Sequence, residues 1–284
     1  AKVTFTLPKV RVTHNSLPRL IKLPKGLHLN GMLQGRGTVL LDAKSPTGSA
    51  QLTVSDTRLS HQEQKIELKG ITSTLNFPVL PSPASSPNQA LNIASMQIGT
   101  LKMTDGRIHF RIEDNLSLFV EKSRFSWCGG KVESGGIRIS PDNPEIATTL
   151  YCDRLQFTEL LDQLGISKAD GGGSLNGRMP ISYDGQRIQF EDGFLFSTPG
   201  DGGIGRFGNT ELLRQGLPDM GQTAHLEYSM QALREFAYNW TKLTFASTGD
   251  DLLVTMQIDG KPAQPLPFGY QAGHLVETKK GSGI

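Results

Sequence analysis

The amino-acid sequence predicts a mainly β protein, and three observations carry that prediction. Runs in which apolar and polar residues alternate fill most of the 284 positions, 32 Gly and 16 Pro punctuate them, and one short text recurs along the chain. Period two is the signature of a half-buried strand, while Gly supplies positive φ and Pro pre-sets turn positions. The recurring text is Gly-x-Leu-x-Gly-Arg, at Gly31-Met32-Leu33-Gln34-Gly35-Arg36 and again at Gly173-Ser174-Leu175-Asn176-Gly177-Arg178. It reads as a strand-start device in a series of β-hairpins.

The elements follow in order. Val3, Phe5 and Leu7 alternate with polar neighbours, Leu27 and Leu29 precede Gly31, and Val39 to Leu41 run into a turn at 45–49. Gln51 to Leu59 and Lys65 to Phe77 are strands, the latter with Ile71, Ser73, Leu75 and Phe77 on one face. Four prolines and three serines between Pro78 and Pro87 predict an exposed, extended loop and the most flexible segment, because Pro cannot donate to a ladder. The meander resumes over Met96 to Met103, Ile108 to Ile112, Leu116 to Trp127, Val132 to Ile139 and Ile146 to Cys152. Asp105-Gly106, Asp114-Asn115 and Gly129-Gly130 are the expected tight turns between them.

Three places break the pattern. Phe157, Leu160, Leu161 and Leu164 are spaced as on a helix, with Gly165 at the C′ position. Asn209 to Gly216 opens on a capping residue and closes on Gly, which predicts a second short helix. The longest spans about 222 to 240, with Leu226, Met230, Leu233, Phe236 and Ala237 as one stripe that packs on the sheet. Five glycines between Gly200 and Gly208 read as a flexible turn before the helix at 209. A final hairpin joins Thr241 to Thr248 with Leu252 to Ile258, and the proline-rich tail from Pro262 to Gly269 is expected to be irregular.

Composition narrows the function. The net charge is +2, from 29 basic and 27 acidic residues with no basic stripe, which argues against a nucleic-acid partner. No window approaches the ~18 apolar residues that a membrane-spanning helix needs. The chain starts at Ala1 in strand-like text and is read as a piece of a longer protein, one elongated β-rich unit over 1–284 divisible at 154/155.

The six histidines are scattered, without spacing that sets two ligands on one metal, and neither a nucleophile elbow nor a P-loop is present. Glu191-Asp192 and Asp250-Asp251 are adjacent carboxylates whose side chains point apart, and Trp127 reads as packing rather than a sugar platform. No catalytic residue, metal site or cofactor is expected, and the chain is not expected to be an enzyme. If Gly129-Gly130 turns one hairpin and Pro141 to Pro144 the next, one strand separates Cys128 from Cys152. Their Cα atoms then lie ~9 Å apart, beyond disulfide reach, so a Cys128-Cys152 bond is not expected.

The strands carry the positive evidence. Ile108, Phe110 and Ile112, then Ile137 and Ile139, then Ile188 and Phe190, then Leu252, Val254, Met256 and Ile258 each form an apolar face. The few helical segments cannot cover such a face, so the sheet either folds on itself as a sandwich or curls into a trough with an apolar inside.

At this point the text resembles the YdbH-like family, within the wider AsmA-like group of envelope proteins that includes TamB and YhdP. The resemblance rests on Gly173 to Pro180, Asp184-Gly185, Ile188 to Gly193, Leu226 to Tyr238, Leu243 to Phe245 and Leu252 to Pro262. Thr104 to Phe110 and Phe125 to Gly130 resemble it more loosely. The region has also carried a dicarboxylate-transport label, for which the chain shows no site.

The resemblance implies a long antiparallel sheet curled into a hydrophobic groove, conducting phospholipid across the periplasm between the inner and outer membranes of a diderm bacterium. It also implies an inner-membrane anchor elsewhere in the full protein and a small outer-membrane lipoprotein as partner. The groove lining is then expected at Ile108, Phe110, Ile112, Ile137, Ile139, Ile188, Phe190, Val254, Met256 and Ile258. The competing reading is a structural or assembly module of the envelope that takes client proteins by strand addition.

Overall fold

The computed structural model describes residues 1–13, 26–41, 46–143, 145–165, 169–170, 172–185, 187–198, 200, 202–207, 223–249 and 251–278. Alternation dominates the sequence, and the chain accordingly spends itself on strands. The first nine form a meander: β1 (Lys2–Thr13), β2 (Leu27–Leu40), β3 (Thr47–His61), β4 (Ile66–Leu80), β5 (Gln89–Ile98), β6 (Leu101–Ile112), β7 (Leu118–Trp127), β8 (Gly130–Ile139) and β9 (Ile146–Gln156). Helix α1 (Phe157–Gln163) follows, then β10 (Ala169–Asp170), β11 (Ser174–Tyr183), β12 (Ile188–Phe190), β13 (Gly193–Phe196) and β14 (Gly203–Phe207). Helix α2 (Thr223–Arg234) leads into β15 (Phe236–Thr248), β16 (Asp251–Pro262) and a separate hairpin of β17 (Phe268–Gln271) and β18 (His274–Glu277).

Sixteen strands make one antiparallel sheet that does not close. Each of β1 to β9 pairs with the next, β9 pairs with β11, β11 with β12 and β13, and β15 takes β13 and β14 on one side and β16 on the other. Among the described residues β1 pairs only with β2, and β16 only with β15. At ~4.8 Å per strand, the sheet from β1 to β16 extends roughly 60 Å in the hydrogen-bonding direction. Its turns alternate between two ends. The near end carries those at 62–65, 99–100 and 128–129, and the far end those at 81–88, 113–117 and 140–143.

Many strands are interrupted part-way. The register shifts at Leu7/Val10 between β1 and β2, at Asn30/Met32 between β2 and β3, at Val54/Thr57 between β3 and β4, and at Thr104/Arg107 between β6 and β7. Asp56, Gly70, Asp105, Gly136 and Arg154 adopt positive φ within their strands. A bulge bends its strand and moves the next side chain to the other face, so these interruptions define a line of bending across neighbouring strands. Between β8 and β9 the ladder holds only over Lys131–Glu133 and Tyr151–Asp153, although the strands stay side by side.

This line of bulges explains one departure from the sequence reading. Asp105-Gly106 lies inside β6 rather than at a turn, and Gly99-Thr100 makes the hairpin instead, with Met96 opposite Met103. The pair supplies the positive φ of a bulge, and the Phe125 ring lies on Gly106, where an added Cβ would come within 2.8 Å of Cε1. The next turn is Cys128-Gly129, one residue earlier than expected. Trp127 faces Gly130 across it, and both turn residues have positive φ, as a type I′ hairpin requires.

The expected helix over 222–240 stops at Arg234. Phe236, Tyr238 and Trp240 belong to β15, because pairing with β14 and β16 satisfies their backbone and aromatic residues suit a pleated surface. Two helices are present among the described residues, and the segment 209–216 lies outside them. The Pro78–Pro87 stretch is not a free loop: β4 runs on to Leu80, the Ser85 backbone N–H donates to the Ile112 carbonyl (2.9 Å), and the Ile112 N–H donates to Ser85 Oγ (2.8 Å). Gly203–Phe207, expected as a flexible turn, is a strand. The tail is irregular only to Pro267, where β17 begins with the fully buried Phe268. The first Gly-x-Leu-x-Gly-Arg copy sits in the middle of β2 rather than at a strand start, while the second opens β11.

Candidate functional site

Following the register from strand to strand places the apolar residues of the sheet on one face. Leu52 faces Leu75, Leu68 faces Met96, and Met96 faces Met103. Phe110, Val120 and Ile137 form one row across β6, β7 and β8, and Ile112, Leu118 and Ile139 the next. On the other side of β9, Ile181 faces Phe190, Tyr183 faces Ile188, Phe245 faces Val254, Leu243 faces Met256 and Thr241 faces Ile258. All ten residues expected to line a groove therefore lie on this face.

The opposite face is polar. Lys69 Nζ lies 2.8 Å from Glu67, Arg124 Nε 2.8 Å from Glu133, and the Arg111 guanidinium stacks 4.3 Å from the Phe119 ring centroid. Such exposed pairs contribute little stability, and their role is to keep this side in water. Hydrogen bonds from Lys69 hold the Glu67 carboxyl below its ordinary range, and those from Arg138 do the same for Glu113.

The apolar face is treated differently in its two halves. Over β1 to β5 no helix or strand lies on it as a second layer among the described residues; Ile71 and Ile93 are buried between their neighbours in the sheet, while most of the other apolar side chains are half-buried or exposed, Val3 at 48% and Phe5 at 40%. From β7 to β15, near the turn at 128–129, it is roofed. Phe157, Leu160 and Leu161 of α1 drop onto Trp127, Val132, Cys152, Leu155, Leu175 and Leu195, all buried to 7% or less. Tyr238 and Phe207 meet the Phe157 ring edge-on at 5.5 and 6.3 Å. Helix α2 adds Leu233 at the margin of this core, against which Met256 and Ile258 also pack.

A single residue ties α1 across the sheet. Gln163 Oε1 accepts from the Trp127 indole N–H (3.0 Å) and the Lys102 backbone N–H (2.8 Å), and its carbonyl accepts from the Thr100 hydroxyl (2.7 Å). The helix thus reaches from β9 to the start of β6. Ser123 and Ser134, buried opposite each other in this face, satisfy their hydroxyls mutually at 2.7 Å.

The two cysteines are free thiols in the roofed core, with Val132 opposite Cys152 and β8 between them. Burial first, then the nearby Glu159 and Cys152, pushes the Cys128 thiol from 9.0 up to about 12, and burial alone takes Cys152 to about 12. Trp127 is a core residue. Glu191 and Asp192 are exposed at a bend, with Glu191 accepting from the Ser182 hydroxyl (2.7 Å). Among the described residues no cluster of His, Cys, Asp and Glu fits a metal ion, and no helix is long and apolar enough to cross a membrane.

The ten expected residues thus fall into two environments. Ile108, Ile112, Ile137, Ile139 and Ile188 are partly or well exposed, and Phe110 is buried in the face itself. Phe190, Val254, Met256 and Ile258 instead pack against the roofed core. Leu75, read from the sequence only as part of a strand face, shares the apolar face with Leu52, Leu91, Met96 and Leu118, and none of the five was expected to line a groove. Counting register across each hairpin is the signal that finds them.

Fold and face together define a protein built on one open amphipathic sheet. The chain belongs to the YdbH-like family: the family model described as intermembrane phospholipid transport protein YdbH matches residues 4–264. No curated protein and no solved structure matches the chain.

Proposed function

We propose that this chain is a segment of a lipid conduit, in which the apolar face of the sheet is the inner surface of a curled groove that carries phospholipid acyl chains between two membranes. The observation that carries the reading is an apolar face continuous from β1 to β16 with no second layer, among the described residues, over its first five strands. Uncovered apolar surface of this extent marks an interaction site, and acyl chains gain ~0.8 kcal/mol per buried CH₂. The line of bulges favours a trough over a flat sheet, since each bulge bends its strand. The family's description as an intermembrane phospholipid transporter supports the cargo.

Within this reading the segment works in the periplasm of a diderm bacterium, in a longer protein anchored in the inner membrane, with a small outer-membrane lipoprotein as partner and no catalytic step. The test is native mass spectrometry and lipid extraction of the purified chain. Co-purifying phospholipid, lost when Leu52 and Leu75 are both changed to Glu, supports it. A lipid-free chain that stays so after incubation with phospholipid vesicles overturns it.

A second reading has its own observation. The outer edges of β1 and β16, which pair with no further strand among the described residues, offer backbone donors and acceptors for strand addition by a client protein, as in a structural or assembly module. Proline substitutions at alternate β16 positions would abolish client binding while leaving lipid binding intact.

A further inference from the structure

The line of bulges divides the apolar face into two lanes, one along the near ends of the strands and one along the far ends. The near lane begins with Val10 and Val12 on β1 and passes Leu29, Leu68, Ile98 and Leu101. It stops at α1. Leu101 and Met103 already pack against the roofed core, the Gln163 contacts to Trp127, Lys102 and Thr100 close the helix down over them, and from Leu155 to Leu243 the face beneath is 0% to 7% exposed. Among the described residues the far lane meets no such roof: Phe110 and Val120 are buried to 7% within the face itself, but no helix lies over the row beyond them. Ile112, Leu118, Ile139, Ile146 and Ile181 are half-buried, and Ile188 is 52% and Leu252 38% exposed, so apolar surface stays accessible from β6 to β16.

We propose that α1 is a fixed diverter: phospholipid acyl chains moving along this sheet pass α1 only over the far-end lane, with Ile139 and Ile181 as the positions they cross. The proposal rests on the lipid-groove reading and adds a route to it. An acyl chain entering the near lane would have to displace Phe157, Leu160 and Leu161 and leave the Trp127 N–H without its acceptor, at a cost that a free lane alongside makes unnecessary. Two lanes that narrow to one also imply passage in single file at β7 to β11.

The experiment places a photo-crosslinking benzoylphenylalanine at Ile139 or Ile181 in the far lane, at Leu101 or Met103 where the near lane ends, at Leu52 as a reference on the open half, and at Thr149 on the polar face. Each purified chain is irradiated with vesicles of phosphatidylethanolamine and phosphatidylglycerol, and adducts are counted by mass spectrometry. The expected result is strong labelling at Leu52, Ile139 and Ile181 and about tenfold less at Leu101 and Met103, equivalent to losing fewer than two buried methylenes at ~0.8 kcal/mol each. Thr149 should stay unlabelled.

Equal labelling of Met103 and Ile139 overturns the diverter and leaves the lipid reading standing. No adduct at Leu52 or any other position overturns the lipid reading and the lane with it. As a second measurement, Ile181→Glu should lower labelling at Leu252 whereas Leu101→Glu should not, with the wild-type circular dichroism confirming both folds. The reverse pattern refutes the route. Should Ile181→Glu lose the β spectrum, Ile139→Glu takes its place with the same expectation.

Discussion

Strands β1 to β5 and strands β7 to β15 put the same kinds of side chain on the same face, yet the first group leaves most of them open, Ile71 and Ile93 excepted, and the second buries them. Leu52 and Leu175 show the difference. Each is a leucine in a strand interior with apolar cross-strand neighbours, Leu52 opposite Leu75 and Leu175 opposite Leu155, but Leu52 is half-buried and Leu175 is 0% exposed. The strand pattern is common to both. What separates them is the seven-residue helix α1, inserted between β9 and β10, which lays Phe157, Leu160 and Leu161 on one half and nothing on the other. An apolar sheet face becomes core or binding surface according to whether a second layer is delivered to it.

The strongest way to break this comparison is to truncate equivalent leucines. Leu160→Ala or Leu175→Ala, each at a site with no exposure, should cost about 3–5 kcal/mol in urea unfolding, because a cavity remains where the side chain was. Leu52→Ala should cost only about 1 kcal/mol, since no layer above it is left with a void, and should instead lower bound lipid. Equal losses at Leu160 and Leu52 would mean that the open half is covered after all.

The latch sharpens the comparison at a smaller scale. Gln163→Ala leaves the buried Trp127 N–H without its acceptor and should destabilise by about 1–3 kcal/mol, while Gln163→Glu, which keeps an acceptor, should recover most of that loss. Thermal unfolding of the two variants separates the outcomes.

The thiols report on the same roofed half through alkaline pH. In the folded state Cys128 and Cys152 stay protonated to about 12, against 9.0 ordinarily, so above pH 9 the unfolded chain releases protons that the folded chain keeps. Their contribution is fully present below pH 9 and is lost as pH rises toward 12. A Cys128→Ala, Cys152→Ala chain should show a shallower fall in Tm over that window, and the wild-type thiols should react with a maleimide only after unfolding.

The smallest effect belongs to the polar face. Arg138 holds the Glu113 carboxyl below its ordinary range, so its contribution is present at neutral pH and lost as pH falls through the depressed value. Glu113→Gln should flatten the acid limb of the Tm profile slightly and leave lipid binding unchanged, because the ion pair is exposed and screened.

Much of this architecture was legible in the sequence. Alternation marked the strands, Gly165 marked the end of α1, and the predicted opposition of residue 132 to Cys152 matches the ladder that separates the two cysteines. The misreadings share a cause. Asp105-Gly106 carries turn chemistry, but positive φ serves a bulge as readily as a hairpin, and which one forms depends on the neighbouring strand; at Gly129-Gly130 the hairpin formed, one residue earlier, because Cys128 took the first positive φ. Phe236 to Trp240 continue a helical stripe and also alternate as a strand, and the pairing with β14 and β16 decided between them.

The sequence by itself determined that there would be strands with one apolar face each, because period two is a local property that every residue pair carries. Only the tertiary structure decided that mid-strand bulges bring these faces to one side of a single open sheet, and that α1 closes one lane of it and leaves the other. Both depend on register and on contacts between residues far apart in the chain, such as Gln163 with Trp127 and Lys102, which no local pattern encodes.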